Sequence, residues 1–184
     1  MKTAESPRNT HRVCYVKGNI LDFRGDGIIC PCFTDLTLLN KSTLLSGLVN
    51  KAGKDVIKEL CATGYCYIGS VVIAKGYNLD VKNIIFLPYK DFSESEIMTN
   101  TLFHEAVRNA FNIAVLYGLK RVATVPIQVS PIQKSTSQKL LSWIGYENTT
   151  SGLTSNESID ILIGLFSGYK DQIDELTIYT ERRL

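Results

Sequence analysis

Three stretches of this chain carry residue types whose spacing could do chemistry. Cys30-Pro31-Cys32, with Cys61 and Cys66 beyond, offers thiolates to a metal or an electrophile. Ser42-Thr43-Leu44-Leu45-Ser46-Gly47 sets hydroxyls and a glycine where a helical pattern begins, so amides and the helix dipole could hold a phosphate there. Lys51, Lys54 and Lys58 fall at i, i+3 and i+7 and form a small basic face suited to an acidic polymer such as RNA. The thiols are the weakest of the three. C-x-C and C-x-x-x-x-C spacings match no common structural zinc module, and Cys30 lies in an apolar run that should face a core. For a cysteine–histidine pair, His11 sits in the polar N-terminal stretch and His104 in a later helix beside Glu105, remote in order from Cys32. Asp35 is the acid nearest these cysteines; it could activate water, but a carboxylate just past a strand more often caps the next turn. No G-x-G-x-x-G follows a strand, which argues against a dinucleotide fingerprint.

The elements that must position these residues read as an alternation. Val13 to Val16, Gly27 to Cys30, Ser70 to Ala74, Asn83 to Leu87, Arg121 to Val125 and Glu175 to Thr180 are short, β-branched and bounded by turn residues, which predicts six strands. Several are apolar at consecutive positions, as in strands covered on both faces. Three amphipathic helices lie between them. Leu45, Leu48, Val49, Ala52, Val56 and Leu60 mark the first; Leu102, Ala106, Ala110, Ile113 and Tyr117 mark the second, with Gly118 placed to end it. Ile159, Leu162, Ile163 and Phe166 mark the third, behind the capping-box pattern Thr154-Ser155-Asn156-Glu157. Gln128 to Asn156, rich in Ser, Thr, Gln and Asn, is the least regular stretch; Gln138 to Ile144 within it is a short helix candidate carrying Trp143, the single tryptophan. The alternation predicts a three-layer α/β/α sandwich around a mixed, largely parallel six-stranded sheet. Residues 1–12 read as a flexible arm and residues 13–184 as one domain.

Composition sets the class. A chain of 184 residues with 45% hydrophobic and 21% charged residues can bury a core without disulfides or metal. Net charge is only +2, from 20 basic and 18 acidic residues, which disfavours a dedicated nucleic-acid binder. Five cysteines form an odd set suited to a reducing compartment. Met1 to His11 lacks an apolar signal-peptide core, and no apolar run approaches ~18 residues, so a cytoplasmic or nuclear protein away from membranes is expected.

The motifs, taken in order, resemble a known family. Gly18-Asn19-Ile20, then Asp26-Gly27-Ile28-Ile29-Cys30-Pro31-Cys32-Phe33, then Ser42 to Gly53 is similar to the macrodomain succession: a Gly-Asp-Ile turn, an Asp-Ala-Ile-Val-Asn-Ala-Ala-Asn strand and loop, and a glycine-rich phosphate loop opening a helix. Gly64 to Ile73, Lys75-Gly76-Tyr77-Asn78-Leu79, Lys82 to Pro88 and Leu119 to Pro126 resemble its later segments, so the likeness runs from about Val13 to Thr180. Macrodomains bind ADP-ribose, and the resemblance implies a site here. Asn19 and Ile20 would meet adenine, and Ser42, Ser46, Gly47 and Leu48 the diphosphate; Cys32 and Phe33 stand where the family orients the distal ribose, a task neither can perform, although Phe33 could stack on a base or sugar. Ile127, Gln128 and Ser130 would form the second phosphate loop, and Tyr179, or else Arg182, would stack on the base.

The departures bear on activity. Asn19 replaces the charged carboxylate of the turn, Phe33 replaces the sugar-binding asparagine, and Ile127 to Lys134 has no glycine and includes Pro131. A weakened or lost hydrolytic activity follows. The expectation is therefore a divergent, non-catalytic macrodomain, acting alone as a monomer with no cofactor or metal. It would read ADP-ribose or ADP-ribosylated protein, or have become a protein-interaction module. An ADP-ribosyl hydrolase is the alternative from another class, and an RNA binder using the lysine face is a third.

Overall fold

The computed structural model describes residues 11–90, 98–129 and 153–180. Its centre is a six-stranded sheet in the order β1-β6-β5-β2-β4-β3. The strands are β1 (Arg12–Lys17), β2 (Gly27–Phe33), β3 (Val72–Lys75), β4 (Asn83–Lys90), β5 (Arg121–Thr124) and β6 (Glu175–Thr180). Neighbours run parallel except β3, which is antiparallel to β4. Gly27-Ile28-Ile29-Cys30 is apolar without alternation because β2 lies between β5 and β4 and is covered on both faces.

Alternate side chains of the sheet feed two cores. Ile28, Cys30, Ile84 and Phe86 pack with Leu45, Leu48, Ala52, Val56 and Leu60 of helices α1 (Thr43–Ala52) and α2 (Lys54–Thr63). Ile29, Ile85, Val122, Leu176 and Ile178 pack with Phe103, Ala106, Ala110, Leu162 and Phe166 of α3 (Asn100–Leu116) and α4 (Ser155–Phe166). The three-layer mixed sandwich expected from the alternation is the fold. α4 begins with the expected capping box of Thr154 and Glu157, and Gly118, at φ 66°, follows α3.

One expected helix is two. The apolar spacing from Leu45 to Leu60 continues across Gly53, but that residue sits at φ 98° and joins α1 to α2. The basic face drawn on a continuous helix dissolves with it. Lys51 donates to the Leu21 carbonyl (2.7 Å) and pairs with Asp22 (2.6 Å), while Lys58 pairs with Asp55 (2.8 Å). Strand ends also shift: β2 runs three residues past Cys30, β4 reaches Lys90, and β3 starts at Val72 rather than Ser70. The last two residues of the arm expected over 1–12 are part of the fold: Arg12 belongs to β1 and His11 stacks on Phe166 at 4.1 Å. Residues 1–10 lie outside the described residues. The Gln138 to Ile144 helix with Trp143, and Ser130, Pro131, Lys134 and Arg182, lie outside the described residues.

Carboxylates tie the amino ends of the five parallel strands. Asp26, just before β2, accepts from the amides of Lys120 and Arg121 (both 2.9 Å) and pairs with Lys82 beside β4 (2.7 Å). Burial alone would raise its pKa, but the Lys82 ammonium and those two amides hold the carboxyl below the usual aspartate value. Glu175 opens β6, buried, with Arg12 of β1 and Arg121 of β5 in register on either side and the Thr177 hydroxyl donating at 3.1 Å. Desolvation again opposes ionisation and is outweighed, chiefly by Arg12, so this carboxyl also stays below its ordinary value.

Candidate functional site

The opposite end of the sheet is where the strands open into their connections. β2 and β5 are neighbours, yet β2 leads to α1 on one face whereas the chain after β5 reaches α4 on the other. Val129 bridges Leu153 and the Ile127 amide donates to Ser158 Oγ (3.1 Å), which draws the segment after β5 toward α4. Diverging connections leave a crevice at the strand carboxyl ends, the position where open α/β sheets place ligands.

The turn after β1 forms one lip. Asn19 caps a short 3-10 turn, Ile20–Asp22, its side-chain oxygen accepting from the Leu21 amide at 3.0 Å. It is exposed, and the oxygen keeps a second lone pair for a ligand. Val16 pairs with Tyr179, so β6 ends beside this turn. The half-buried Tyr179 ring meets Phe23 edge-on at 6.2 Å. Gly25 permits this arrangement, since a Cβ there would overlap the Phe23 ring. α1 closes the same lip: Ser42 Oγ accepts from the Leu45 amide (3.5 Å), and the Ser46 amide is used by the Ser42 carbonyl (2.9 Å). Thr43 and Leu44, at the first turn, are left with amides free of intrahelical partners. Gly47 stands one turn further on. Its bare backbone lets Leu21 approach, with a Cβ there lying 3.2 Å from Leu21 Cδ1, so this glycine seats the turn on the helix.

The end of β2 is packed rather than open. Cys30, Cys32 and Thr34 are fully buried, and Phe33 is 9% exposed, its ring 6.1 Å from that of Tyr89. Pairing with β4 shifts at this point: Cys32 faces Pro88, but Phe33 faces Lys90, so Tyr89 is the extra residue of a bulge. Burial pushes the Cys30 thiol up to about 12 and lifts Cys32 well above its ordinary value, so both thiols are neutral at pH 7. Asp35 caps the following turn, accepting from the Thr37 amide (2.9 Å) and hydroxyl (2.7 Å). Among the described residues no cluster of His, Cys, Asp and Glu could hold a metal ion.

The same overall fold recurs in solved structures. A mutant of the Oceanobacillus iheyensis macrodomain is similar with a TM-score of 0.67 at 16% identity, over 100% of this chain and 92% of that one. The chain has the macrodomain fold. The Trypanosoma brucei macrodomain in complex with ADP gives a TM-score of 0.67 at 15% identity, covering 93% of this chain and 64% of that one, so this chain spans less than two thirds of it. The macro domain of ganglioside induced differentiation associated protein 2 gives 0.66 at 15% identity, over 95% and 79% of the two chains. No protein-family model matches the sequence, and no curated protein does.

On this macrodomain frame the residues singled out in the sequence fall into two groups. Asn19, Gly47 and Tyr179 lie about the turn after β1, and Ser42 and Ser46 belong to the start of the helix that carries Gly47. Ile20, Leu48 and Ile127 are buried side chains that can offer a ligand only backbone. Cys32 and Phe33 belong to the packed end of β2, and Gln128, exposed, lies within 3.5 Å of Ser155 Oγ beside α4. Phe23, Tyr89 and the Lys51–Asp22 pair were missed from sequence. The only signal for Phe23 was its place two residues before Gly25.

Proposed function

We propose that the chain is a non-catalytic macrodomain that binds ADP-ribose, free or carried on mono- or poly-ADP-ribosylated protein, at the crevice between β2 and β5. The observation that carries this reading is the joining of Asn19, Tyr179 and the start of α1 around one turn. It offers a hydrogen-bond acceptor, an aromatic face and free helix amides to an adenine and a diphosphate. Related folds crystallised with ADP and with ADP-ribose support the same ligand class. Binding without hydrolysis is favoured because Asp35 is spent on Thr37 and the nearby thiols are neutral and buried. A cytoplasmic or nuclear location fits the free cysteines.

Calorimetric titration with ADP-ribose and with AMP tests this. Micromolar binding of ADP-ribose is expected. Asn19→Ala should weaken both ligands alike, by about fivefold to tenfold for one lost hydrogen bond. Ser46→Ala should weaken only the diphosphate ligand. Silence up to millimolar ADP-ribose would leave a protein-interaction module. Release of ADP-ribose from a mono-ADP-ribosylated protein would instead establish the hydrolase.

A further inference from the structure

The turn that carries Asn19 is held in place from α1. It spans only Ile20–Asp22, and one 3-10 turn has poor hydrogen-bond geometry and little stability of its own. Gly47 and Lys51 stand four residues apart on one face of α1 and meet the turn together. Gly47 lets Leu21 approach, a Cβ there lying 3.2 Å from Leu21 Cδ1. Lys51 Nζ donates to the Leu21 carbonyl at 2.7 Å and to Asp22 Oδ1 at 2.6 Å. The Leu21 amide in turn donates to Asn19 Oδ1 at 3.0 Å. One residue is therefore held at its carbonyl by Lys51 and holds Asn19 with its amide. Lys51 lies in the last turn of α1, where the helix dipole favours a cation. Thr43 is two turns earlier, roughly 12 Å along the helix, so this ammonium does not serve the amides at the helix start.

We infer that Lys51 is the positioning residue for the base end of the site and sets its selectivity for a base bearing an amino group. The inference rests on the proposed binding of ADP-ribose at Asn19. An asparagine side chain can present either its oxygen or its NH2 by turning over. The Leu21 amide makes that choice, because a donor keeps the oxygen toward itself. The second lone pair of that oxygen is then offered to a donor on the ligand. An amino group on the base supplies one, whereas a keto group there leaves the oxygen unpaired. This choice lasts only while the Leu21 amide stays put, and Lys51 anchors the peptide that follows it. Without the ammonium the turn keeps the burial of Ile20 and Leu21 but loses its polar anchor, so Asn19 can turn over and the preference falls. Acting through Asn19, Lys51 cannot contribute more to base recognition than Asn19 itself does.

The test is calorimetric titration with AMP and IMP, which carry an amino and a keto group at the same ring position. Wild type should prefer AMP by about fivefold, the worth of one hydrogen bond. Lys51→Met should cut that preference to about twofold or less by weakening AMP. Lys51→Arg, which keeps the charge and more than one donor, should retain it. The control Lys58→Met, whose partner Asp55 lies on α2, should change nothing. In an Asn19→Ala background, Lys51→Met should have no further effect on AMP. Lys51 is 43% exposed, so its variants should fold; Lys51→Gln, neutral but polar, serves if Lys51→Met does not. A wild type without preference, or a neutral Lys51 variant that keeps it, overturns the inference while the proposed function stands. So does equal weakening of AMP and IMP, or a further loss in the Asn19→Ala background, since either would give Lys51 a direct or purely structural role. Binding of neither AMP nor ADP-ribose by wild type brings down both readings.

Discussion

Replacing Asp26 by alanine should cost about 3–4 kcal/mol of folding stability, and the cost should depend on pH. The carboxylate accepts from two amides at the head of β5 and faces the Lys82 ammonium. Hydrogen bonds to a charged group contribute roughly 1.5–3 kcal/mol each. Lys120 and Arg121 are exposed, so water can rehydrate their amides and the low end applies. Lys82 is 66% exposed, which holds its ion pair under about 1 kcal/mol. Asn in place of Asp keeps one acceptor oxygen and should lose about half as much. The carboxyl lies below its ordinary value in the folded state. Its contribution is therefore complete above the unfolded value of 3.8 and fades as pH falls through the lower folded one. Urea denaturation of wild type, Asp26→Asn and Asp26→Ala at pH 7 and at about pH 3 measures this. A gap between wild type and Asp26→Asn that is zero at pH 7, or equal at both pH values, would refute the electrostatic account.

Two further outcomes are expected. Gly53→Ala should lower the melting temperature by an amount corresponding to about 1–3 kcal/mol, because φ 98° strains any side chain and a Cβ would lie 3.0 Å from Asn78 Nδ2; an unchanged melting curve would show that the α1–α2 junction adapts. Maleimide labelling at pH 7, followed by peptide mapping, should modify the exposed Cys61 first and leave Cys30, Cys32 and Cys66 intact until the protein unfolds. Rapid modification of Cys32 would contradict the packing at the end of β2.

The sheet was legible because its signal is redundant. Six apolar runs, each flanked by turn residues and separated by helical periodicity, admit few arrangements. The break at Gly53 was not, since apolar spacing continues through it and nothing local announces a positive φ. The bulge at Tyr89 follows from Pro88, which lacks an N–H and faces Cys32 where the register slips. A proline near the end of an apolar run does not say which residue is displaced. About the candidate site, the turn at Asn19 and the nearby Tyr179 could be named from order along the chain. Their common neighbour Phe23 could not, because ring contact across β1 and β6 depends on register, which only the paired strands reveal.

The ionic ties at Asp26 and Glu175 fasten the sheet at the amino ends of its strands, away from the proposed site. Register is thereby pinned at one end of the strands. Shape is held at one end of the molecule and the proposed chemistry lies at the other, so exchanging the loops at the carboxyl ends should leave assembly of the sheet unchanged.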